Sequence, residues 1–564
     1  MENKTPSTAW YKDMSRYHWF VFVVCSLGWG LDCFDQQIFN VKRNESLSSL
    51  MHKDSTDPMV TEFGGYATSL MLVGWAVGGI LFGVMGDKFG RARTMIITIF
   101  VYATFTGLSG LAASWWDFFI YRFCCGMGVG GQFAAGVTLL SETMPDKARP
   151  KTLGLLQVVA AACNLTAASL AMLFGILEQK THLFASYPTW RVLFMIGFIP
   201  ALLAFIVMRK LEEPQAWKNA ISSGGVKKAG SIPDLFRNTR WRYNVIVGML
   251  LASCGVIGLW GIGFFSVDLT RTAFRNTKNQ EARERGDVEK LDFEFIRMLA
   301  NNPKEFLPIA QEKKLTPQSF IGGDRSNIPG QIYRTIVDYG DSTVEFNVDR
   351  ILDHLTVPRE GELREVQRKG WREILDQSPQ RTDKAAFDQL ATDIAVRAKS
   401  ITGYVNTWAA ITSLLFNLGA IFGTWGITLV AERWGRRIAF TTFFAASFFM
   451  TIIVFLTMDT PLKVLIMQPI LGFCVLSIFG GYAIYFPELF PTRLRSTAVS
   501  FCYNIGRFVA ATGPAGLGIL TNYVYHDAPE PIRYAGATMA VTFILGIIVT
   551  WFGPETKGQP LPEE

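Results

Sequence analysis

Charged side chains are scarce in this chain, and their scarcity excludes an ordinary soluble protein. Asp, Glu, Lys and Arg make up 18% of the 564 residues, whereas apolar residues make up 49% and include 44 Phe and 15 Trp. So apolar a composition is typical of proteins that lie in a membrane. We therefore expect the lipid bilayer to surround most of the chain.

Histidine and cysteine are also few, which excludes several kinds of site. None of the eight cysteines has zinc-ligand spacing with any of the five histidines, and the adjacent pair Cys124 and Cys125 is poorly placed for a disulfide. We interpret the cysteines as small packing residues. His354 has no Cys or His partner and no nucleophile motif nearby. The sequence therefore predicts no metal, no cofactor and no enzyme activity.

Long apolar runs, by contrast, recur along both ends of the chain. A helix needs about 20 apolar residues to cross the hydrocarbon core. Runs of this length predict six spans near 19–40, 64–85, 95–114, 117–141, 152–175 and 190–209. Six more are predicted near 243–266, 404–430, 437–458, 462–486, 497–520 and 533–553. The expected organisation is an N-terminal bundle over 1–209, a linker over 210–242, helix 7 within 243–270, an insert over 271–400, and helices 8–12 with a tail over 401–564.

Basic residues gather in loops that share one side of the membrane. The loop after the second span contains Lys88, Arg91 and Arg93, and the linker over 210–242 is basic. All of these loops are cytoplasmic if the N-terminus is, as the positive-inside rule requires. We expect a multi-pass protein of the plasma (inner) membrane with both termini in the cytoplasm. The net charge of +7 then reflects topology, and we expect no nucleic-acid partner.

A short charged phrase occurs twice, each time directly after an apolar span. The copies are Gly86-Asp87-Lys88-Phe89-Gly90-Arg91-Ala92-Arg93 and Ala431-Glu432-Arg433-Trp434-Gly435-Arg436-Arg437. This internal repeat predicts two homologous halves, as in secondary transporters. The acid can engage arginines and a helix N-terminus of the neighbouring bundle, and the glycine permits a tight reversal. The phrase is therefore either a latch between bundles or a solvated loop that only sets topology.

Residues 271–400 differ from the rest, since they are rich in both acidic and basic side chains. The segments 281–300 and 362–398 have helical spacing of apolar residues, and 331–348 has a more strand-like pattern. The number of preceding spans places this insert outside the membrane, in the periplasm or extracellular space. With about 130 insert residues removed, the two charged phrases lie roughly 215 positions apart, the length of one six-helix half.

The chain resembles the major facilitator superfamily over all of its length except the insert. The first turn, Gly83-x-x-x-Asp87-Lys88-x-Gly90-Arg91-x-Arg93, matches the superfamily's signature, whereas the second copy has Thr428 and Glu432 in place of the leading glycine and the Asp. Further phrases match, in order, the branch of sugar porters and metabolite:proton symporters: Arg122-x-x-x-Gly126-x-Gly128-x-Gly130-Gly131, Ser141-Glu142-x-x-Pro145, Glu212-Glu213-Pro214-x-x-Trp217, Pro487-Glu488-Leu489-Phe490-Pro491-Thr492-x-x-Arg495 and Pro554-Glu555-Thr556-Lys557-Gly558.

This resemblance implies an all-α integral membrane protein. Its fold would be twelve transmembrane helices in two six-helix bundles, with an extracytoplasmic insert, α/β or mostly helical, between helices 7 and 8. The presence of two copies at matching places favours the latch for the charged turns. The predicted gating residues are Gly83, Asp87, Gly90, Arg91, Arg93, Glu142, Arg149, Glu432, Arg433, Gly435, Arg436, Glu488 and Arg495. We expect the second copy, which lacks the leading glycine, to form the looser latch.

Asp32 and Asp35 in the first span are the predicted proton-coupling residues. Three positions apart, they share nearly one helix face, and two carboxylates in a low-dielectric cavity resist joint ionisation. The phrase Asp32-Cys33-Phe34-Asp35 is similar to the Asp-Gly-Tyr/Phe-Asp phrase of proton-coupled aromatic-acid, sialic-acid and monocarboxylate carriers. The alternative is a solvated pair near a helix end, or one neutralised by Lys42 or Arg43.

Two arginines fall within predicted spans, where a cation is costly and marks a partner or a pathway. Arg122 in span 4 either helps to bind an anion or couples to a nearby acid, or it forms a structural ion pair with Asp117. Arg507 in span 11 is the matching cation of the second half. The predicted substrate-binding residues are Arg122, Arg507, Gln132, Asn164 and Asn417, although each amide alone is as readily a helix–helix hydrogen bond.

The sequence therefore predicts a secondary active transporter that moves a small organic acid or related metabolite together with H⁺ by alternating access. The alternative within transport is a sugar or polyol facilitator or symporter, because sugar porters share the Pro-Glu-Thr-Lys-Gly ending. A different class is a non-transporting receptor or adhesion protein, since the position of the insert is similar to that of the lumenal domain in synaptic vesicle glycoproteins. The substrate and the partner of the insert stay open.

Overall fold

The computed structural model describes residues 10–51, 58–180, 188–199, 210–222, 230–259, 264–284, 288–313, 315–316, 319–321, 328–339, 383–510, 517, 519–525, 528 and 530–562. Over these residues the secondary structure is entirely helical. The chain divides into two compact units. The first unit comprises Met1–Val267, Thr412–Met458 and Leu465–Glu564, and the second comprises Asp268–Ile411 and Asp459–Val464.

The helices of the first half follow the predicted spans closely. They are α1 (Arg16–Met51), α2 (Pro58–Phe89), α3 (Arg91–Gly110), α4 (Trp115–Thr143), α5 (Arg149–Lys180) and α6 (Thr189–Ile196), and the linker forms α7 (Gln215–Ser222) and α8 (Ile232–Arg237). Only Gly90 separates α2 from α3. It has a φ of 113°, which a residue with a side chain rarely adopts, so this reversal requires glycine.

The remaining helices belong to the second half and to the insert. They are α9 (Thr239–Ile257), α10 (Phe264–Glu284), α11 (Val288–Asn301), α12 (Pro303–Glu312), α13 (Ile328–Tyr339), α14 (Lys384–Trp434), α15 (Arg436–Thr457), α16 (Pro461–Val475), α17 (Ser477–Glu488), α18 (Arg495–Ala510), α19 (Pro531–Met539) and α20 (Val541–Phe552). Gly435, with a φ of 102°, separates α14 from α15 as Gly90 separates α2 from α3. The repeat seen in the sequence is therefore also a repeat of local structure.

Nine helices among the described residues are long and apolar enough to cross a membrane. They correspond to nine of the twelve predicted spans. The other three predictions, near 190–209, 243–266 and 497–520, fall on α6, α9 and α18. Within these three predicted spans, residues 200–209, 260–263, 511–516 and 518 lie outside the described residues.

Small residues bring the membrane helices of the first half close together. Gly130 of α4 lies so near the Trp75 carbonyl of α2 that a Cβ atom on it would overlap that carbonyl. Gly126 approaches the Met71 carbonyl one turn earlier in the same way. Because lipid offers little hydrophobic drive for association, such close backbone contact is a principal source of helix packing. The glycines of α4 thus fix α2 against it.

The second unit has a core of its own. Its buried residues come from α11, α12, α13 and the first turns of α14, and they include Phe295, Phe306 and Phe387. The Phe387 ring stacks on Phe295 at 4.6 Å and on Phe306 at 4.4 Å between ring centroids. The buried carboxylate of Asp292 pairs with Arg397 at 2.5 Å. This unit is therefore a folded module rather than a loose loop.

The strand-like interpretation of 331–348 was wrong for the part that the structure describes. Residues up to Tyr339 belong to α13, and Ile332 and Ile336, four positions apart, are buried on one face of it. Four-residue spacing matches a helix, whereas the sequence pattern was interpreted with a period of two. Residues 340–348, and 362–382 of the predicted helical segment 362–398, lie outside the described residues. The predicted helix over 281–300 falls on the end of α10 (to Glu284) and on α11 (from Val288), and residues 285–287 lie outside the described residues.

Replacing Phe387 with Ala should destabilise the second unit strongly. The side chain is fully buried between two aromatic rings, and a buried Phe→Ala change costs about 3–5 kcal/mol. Hydrogen exchange of the amides in α11 and α12 should accelerate by at least tenfold. Val396→Ala, at a side chain that is 65% exposed, should leave the exchange unchanged. Equal exchange in both variants would contradict a shared core.

Candidate functional site

A buried ion pair joins α1 to α4 in the first half. Arg122 Nη1 lies 3.4 Å from Asp35 Oδ1, and both side chains are buried. Arg122 also donates from Nε to Ser109 Oγ at 3.0 Å, and its guanidinium lies 4.9 Å from the centroid of the Phe194 ring. Asp117 instead caps the start of α4, accepting from the Ser114 backbone N–H at 2.9 Å. The acid that pairs with Arg122 is therefore Asp35, and the suggested pair with Asp117 was wrong.

Asp32, the other acid of the predicted pair, has a different environment. It is fully buried, and its Oδ1 accepts from Gln36 Nε2 at 3.5 Å, the long limit of a hydrogen bond. Its Oδ2 has no hydrogen-bond partner within the described part of the chain. It interacts electrostatically with Asp35 and with Arg507. A carboxylate buried in this way is costly when charged, and this cost favours binding a proton.

Lys42 and Arg43, the alternative neutralising groups, are engaged elsewhere. Lys42 Nζ donates to Glu45 Oε2 at 2.6 Å. Arg43 Nη1 donates to Thr68 Oγ1 at 2.8 Å. The two acids of α1 are thus buried, rather than solvated at a helix end.

Arg507 of α18 is buried between two aromatic rings. Its guanidinium carbon lies 3.5 Å from the centroid of Trp75 on α2 and 4.1 Å from that of Tyr503. Nη1 donates to Asn504 Oδ1 at 3.3 Å, while Nε has no partner within the described ranges. The ring of Tyr503 stacks on Phe133 of α4 at 4.2 Å. The second half thus places a desolvated cation against Trp75 of the first half.

Polar groups without partners surround this cation–aromatic cluster. Trp29 packs on Phe133 at 4.9 Å and donates to Gln157 Oε1 at 3.0 Å. Among the described residues, Gln157 Nε2, Gln132 Nε2 and Trp75 Nε1 are buried N–H donors with no acceptor. Buried donors are rarely left unpaired. These donors can bind a polar molecule.

The three predicted amide contacts are not equivalent. Gln132 Oε1 accepts from Thr98 Oγ1 at 2.7 Å, so this residue makes a helix–helix hydrogen bond. Its Nε2 has no partner among the described residues. Asn417 donates to the Ser413 carbonyl of its own helix at 2.9 Å. Asn164 is half-buried on α5. Of the three, Gln132 is the one with a buried N–H donor that has no acceptor within the described residues.

The first charged turn holds the N-terminus of α18. Asp87 accepts from the Thr497 backbone N–H at 2.9 Å, from Thr497 Oγ1 at 2.6 Å and from the Ser496 backbone N–H at 3.2 Å. The two backbone N–H groups lie at the start of α18, where they have no partner within the helix and where a negative charge is stabilised. Gly83 lies one turn earlier on α2, where a Cβ atom would come within 2.7 Å of Ser500 Cβ.

Glu142 joins the two halves through a pair of arginines. Arg91 Nε lies 3.1 Å from Glu142 Oε2, and Arg495 Nη1 of the second half lies 2.7 Å from Oε1. All three side chains are fully buried. Arg91 also pairs with Asp87 at 3.0 Å and donates to the Thr492 carbonyl. The first turn is thus the centre of a buried charge network between the halves.

The second charged turn has a weaker version of these contacts. Arg436 pairs with Glu488 at 2.7 Å within the same half. Across the halves, Glu432 has a part-exposed pair with Lys151 at 3.3 Å. Arg149, the counterpart of Arg495, pairs with the exposed Asp146. Arg93 and Arg433 are exposed. Each predicted gating residue thus lies at the end of the first unit that contains the two charged turns, 86–93 and 431–437. We call this end the charged-turn end.

Two further acids, not among the predicted site residues, complete the turns. Glu213 accepts from the backbone N–H groups of Ala92 and Arg93 at the start of α3, at 3.2 and 3.1 Å. Glu555 accepts from those of Arg436 and Arg437 at 3.0 and 3.1 Å. Burial raises the pKa of Glu555, but these N–H donors more than offset it and lower the pKa below its usual value. Glu213 and Glu555 follow the last predicted span of the first and second half, respectively. This equivalent position in the sequence is the signal that could have identified them.

No group of three or more His, Cys, Asp or Glu side chains that could hold a metal ion occurs in the described part of the chain. The site consists instead of a buried cation, two buried carboxylates, aromatic rings and free N–H donors. With nine apolar helices and a charge network between two related halves, these features define a membrane transporter.

Comparison with known proteins identifies the family. The model "Major Facilitator Superfamily" matches residues 53–274, and the model "Sugar (and other) transporter" matches residues 378–563. Both matches are to families of transporters, as the motifs of the chain indicated, and the likeness is to transporters rather than to enzymes.

Full-length relatives agree with this family. A "putative metabolite transport protein" of Haemophilus influenzae is 25% identical over 97% of this chain and 99% of its own length. The cis,cis-muconate transport protein of Acinetobacter baylyi is 24% identical over 88% of this chain and 86% of its own. The proton:xylose symporter XylE superposes with a TM-score of 0.56 at 15% identity, covering 97% of this chain and 98% of XylE. This last likeness concerns the fold.

Proposed function

We propose that the protein is a proton-coupled symporter of a small organic acid. The observation that carries this proposal is the pair of Arg507, which is stacked on Trp75, and Asp32, with which it interacts electrostatically. Among the described residues, Arg507 Nε and Asp32 Oδ2 have no hydrogen-bond partner. A buried cation with free donor capacity suits a carboxylate ligand, because charge-assisted hydrogen bonds are the strongest polar contacts available. The buried carboxylate suits a proton.

Charge balance explains how the two sites would be coupled. Asp35 has a cation partner, Arg122, whereas Asp32 has none at ion-pair distance among the described residues. A proton bound by the pair therefore resides on Asp32. While Asp32 is ionised it offsets Arg507, and an incoming carboxylate would add an uncompensated negative charge. Protonation of Asp32 leaves Arg507 free to bind the anion, so proton and substrate bind together.

Arg122 has a different role from the one that the sequence suggested. Its donors are occupied by Asp35, Ser109 and the Phe105 carbonyl. We infer that Arg122 serves as the ion-pair partner of Asp35. The fixed charge of Asp35 then disfavours ionisation of Asp32. Of the predicted substrate-binding residues, we retain Arg507 and Gln132.

Relatives favour an acid as the cargo. Relatives of this chain include a cis,cis-muconate transport protein, a sialic acid transporter and a benzoate transport protein. Their named cargoes are all carboxylic acids. The match to the sugar transporter model keeps a neutral sugar as the alternative.

The charged turns supply the conformational part of the mechanism. The buried Asp87 and Glu142 contacts hold the two halves together at the end that we assign to the cytoplasm, following the positive-inside rule. Breaking them would open a path from that side to Arg507. The halves would thereby rock about a midplane site, as in other transporters built from repeats.

Uptake into proteoliposomes tests the proposed function. We expect an inward proton gradient to drive accumulation of benzoate or cis,cis-muconate but not of xylose, and a protonophore to abolish it. Accumulation of xylose alone would favour the sugar alternative. No accumulation of any of the three, with protein shown to be folded, would contradict the proposal for these acids.

Asp32→Asn should separate coupling from binding. An amide cannot bind the transported proton, so accumulation should fall from up to about tenfold per unit of pH gradient to the level of equilibration. Exchange of labelled for unlabelled acid should continue, because Arg507 is still free to bind an anion. Asp13→Asn, at an exposed acid, is the matched control. Undiminished accumulation in Asp32→Asn would exclude Asp32 as the proton site.

A further inference from the structure

Cys125 makes the shortest polar contact to Asp35 among the hydrogen bonds and ion pairs of that carboxylate. Its Sγ donates to Asp35 Oδ2 at 3.2 Å, whereas the Arg122 Nη1 contacts measure 3.4 and 3.5 Å. The thiol is fully buried on α4, three residues after Arg122 and therefore on the same helix face. The interpretation of the cysteines as packing residues alone does not account for this contact.

A second polar group is placed behind the thiol. Thr106 Oγ1 of α3 lies 3.3 Å from Cys125 Sγ, on a fully buried hydroxyl. Thr106, Cys125 and Asp35 thus form a chain of hydrogen bonds across three helices. Within it, the thiol donates to the carboxylate and accepts from the hydroxyl, so both groups are satisfied while Asp35 is ionised.

The contacts between Arg122 and Asp35 are long, so the hydrogen bond from the Cys125 thiol contributes more to stabilising Asp35. A guanidinium–carboxylate pair is typically 2.7–2.9 Å apart, and Arg122 is held back by Ser109 Oγ at 3.0 Å and by the Phe194 ring. The loose ion pair alone therefore gives Asp35 less stabilisation than a full one would. The charged and titratable groups known to face Asp35 are Asp32 on α1, Tyr102 on α3, and Arg122 and Cys125 on α4.

We propose that Cys125 is a positioning residue for proton coupling: its thiol donates to Asp35 and holds that carboxylate ionised against Arg122, so that the transported proton resides on Asp32. This inference rests on the proposed function. The thiol itself neither gains nor loses a proton, and it does not contact the substrate. Without it, Asp35 would compete with Asp32 for the proton.

Infrared spectroscopy of the purified full-length protein tests the contact without transport. The S–H stretch falls in a spectral window almost free of other protein bands, and it moves to lower frequency when the thiol donates a hydrogen bond. The difference between wild type and Cys125→Ser isolates the Cys125 band. We expect this band at the hydrogen-bonded position, and we expect it to move toward the free-thiol position in Asp35→Asn, since an amide oxygen is the weaker acceptor. A Cys125 band at the free-thiol position in wild type would overturn the proposal.

The pH profile of acid uptake tests the consequence. Cys125→Ala should move the pH of half-maximal uptake about 0.5–1 unit toward alkaline values, because an ionised Asp35 loses a donor and the acid pair then binds its proton more readily. Cys125→Ser, which keeps a donor, should restore the wild-type midpoint. Cys124→Ala, at the adjacent half-buried cysteine, should leave it unchanged. Packing alone would change the rate or the melting temperature without moving the midpoint.

The outcomes separate this inference from the proposed function. Absence of any pH-dependent uptake in wild type would count against symport, while the infrared band would still decide whether the thiol donates to Asp35. A normal wild-type profile with an unchanged midpoint in Cys125→Ala would overturn the role of Cys125 and leave symport intact.

Discussion

Replacing Arg507 with Gln is expected to weaken binding of the transported acid about 30- to 5,000-fold, since losing one partner of a buried charge pair costs about 2–5 kcal/mol. Arg507 is the buried cation whose Nε has no partner in the described ranges. A Gln side chain cannot offset the charge of a carboxylate in a site lined by Trp75 and Tyr503. The measurement is the apparent affinity for cis,cis-muconate or benzoate in exchange assays, where no proton gradient is needed.

Arg507→Lys separates charge from geometry. It keeps the positive charge but loses the planar group that stacks between two rings, so we expect an intermediate loss of affinity. Arg240→Gln, at an exposed arginine, should bind as wild type does. Arg507→Gln with wild-type affinity for the acid would place the substrate elsewhere. A loss of xylose transport instead would support the sugar alternative.

Much of the membrane fold could be predicted because its signals are local. Apolar runs mark the spans, and Gly90 and Gly435 mark reversals that need a positive φ. The repeat of the charged turn also indicated two related halves. The insert was harder, since a short segment such as 331–339 contains Ile, Tyr and Thr, residues typical of strands. In this segment, packing into the core determines that the chain is helical rather than extended. Ile332 and Ile336 are buried together on one helix face.

The site could be predicted in its residue types but not in its pairings. The sequence singled out Arg122 and two nearby acids, yet three-residue spacing cannot tell which acid it contacts. The answer depends on how α4 packs on α1, and Gly126 and Gly130 set how closely α4 approaches α2. Cys125 could not be identified either, because a thiol has no characteristic spacing and acquires its role only from the carboxylate that it meets.

The unequal latches follow from what each acid meets. Asp87 meets two backbone N–H groups, a hydroxyl and Arg91, all in a buried place. Across the halves, the ion pair of Glu432 among the described residues is with Lys151, and both side chains are partly exposed. Buried charged contacts are strongly destabilising when one partner is removed, whereas exposed ion pairs contribute about 0–1 kcal/mol. The expectation of a looser second latch therefore has a geometric basis.

Asp87→Asn should open the charged-turn end far more than Glu432→Gln does. Removing one partner of a buried pair costs about 3–5 kcal/mol, which corresponds to about 150- to 5,000-fold faster exchange of the amides that it protects. Ser496 and Thr497, whose N–H groups bind Asp87, report this directly in hydrogen exchange by mass spectrometry. Glu432→Gln should accelerate exchange at the start of α5 by no more than about fivefold. Equal effects of the two variants would contradict the inequality of the latches, and an unchanged rate at Ser496 and Thr497 in Asp87→Asn would show that the Asp87 contacts do not hold the halves together.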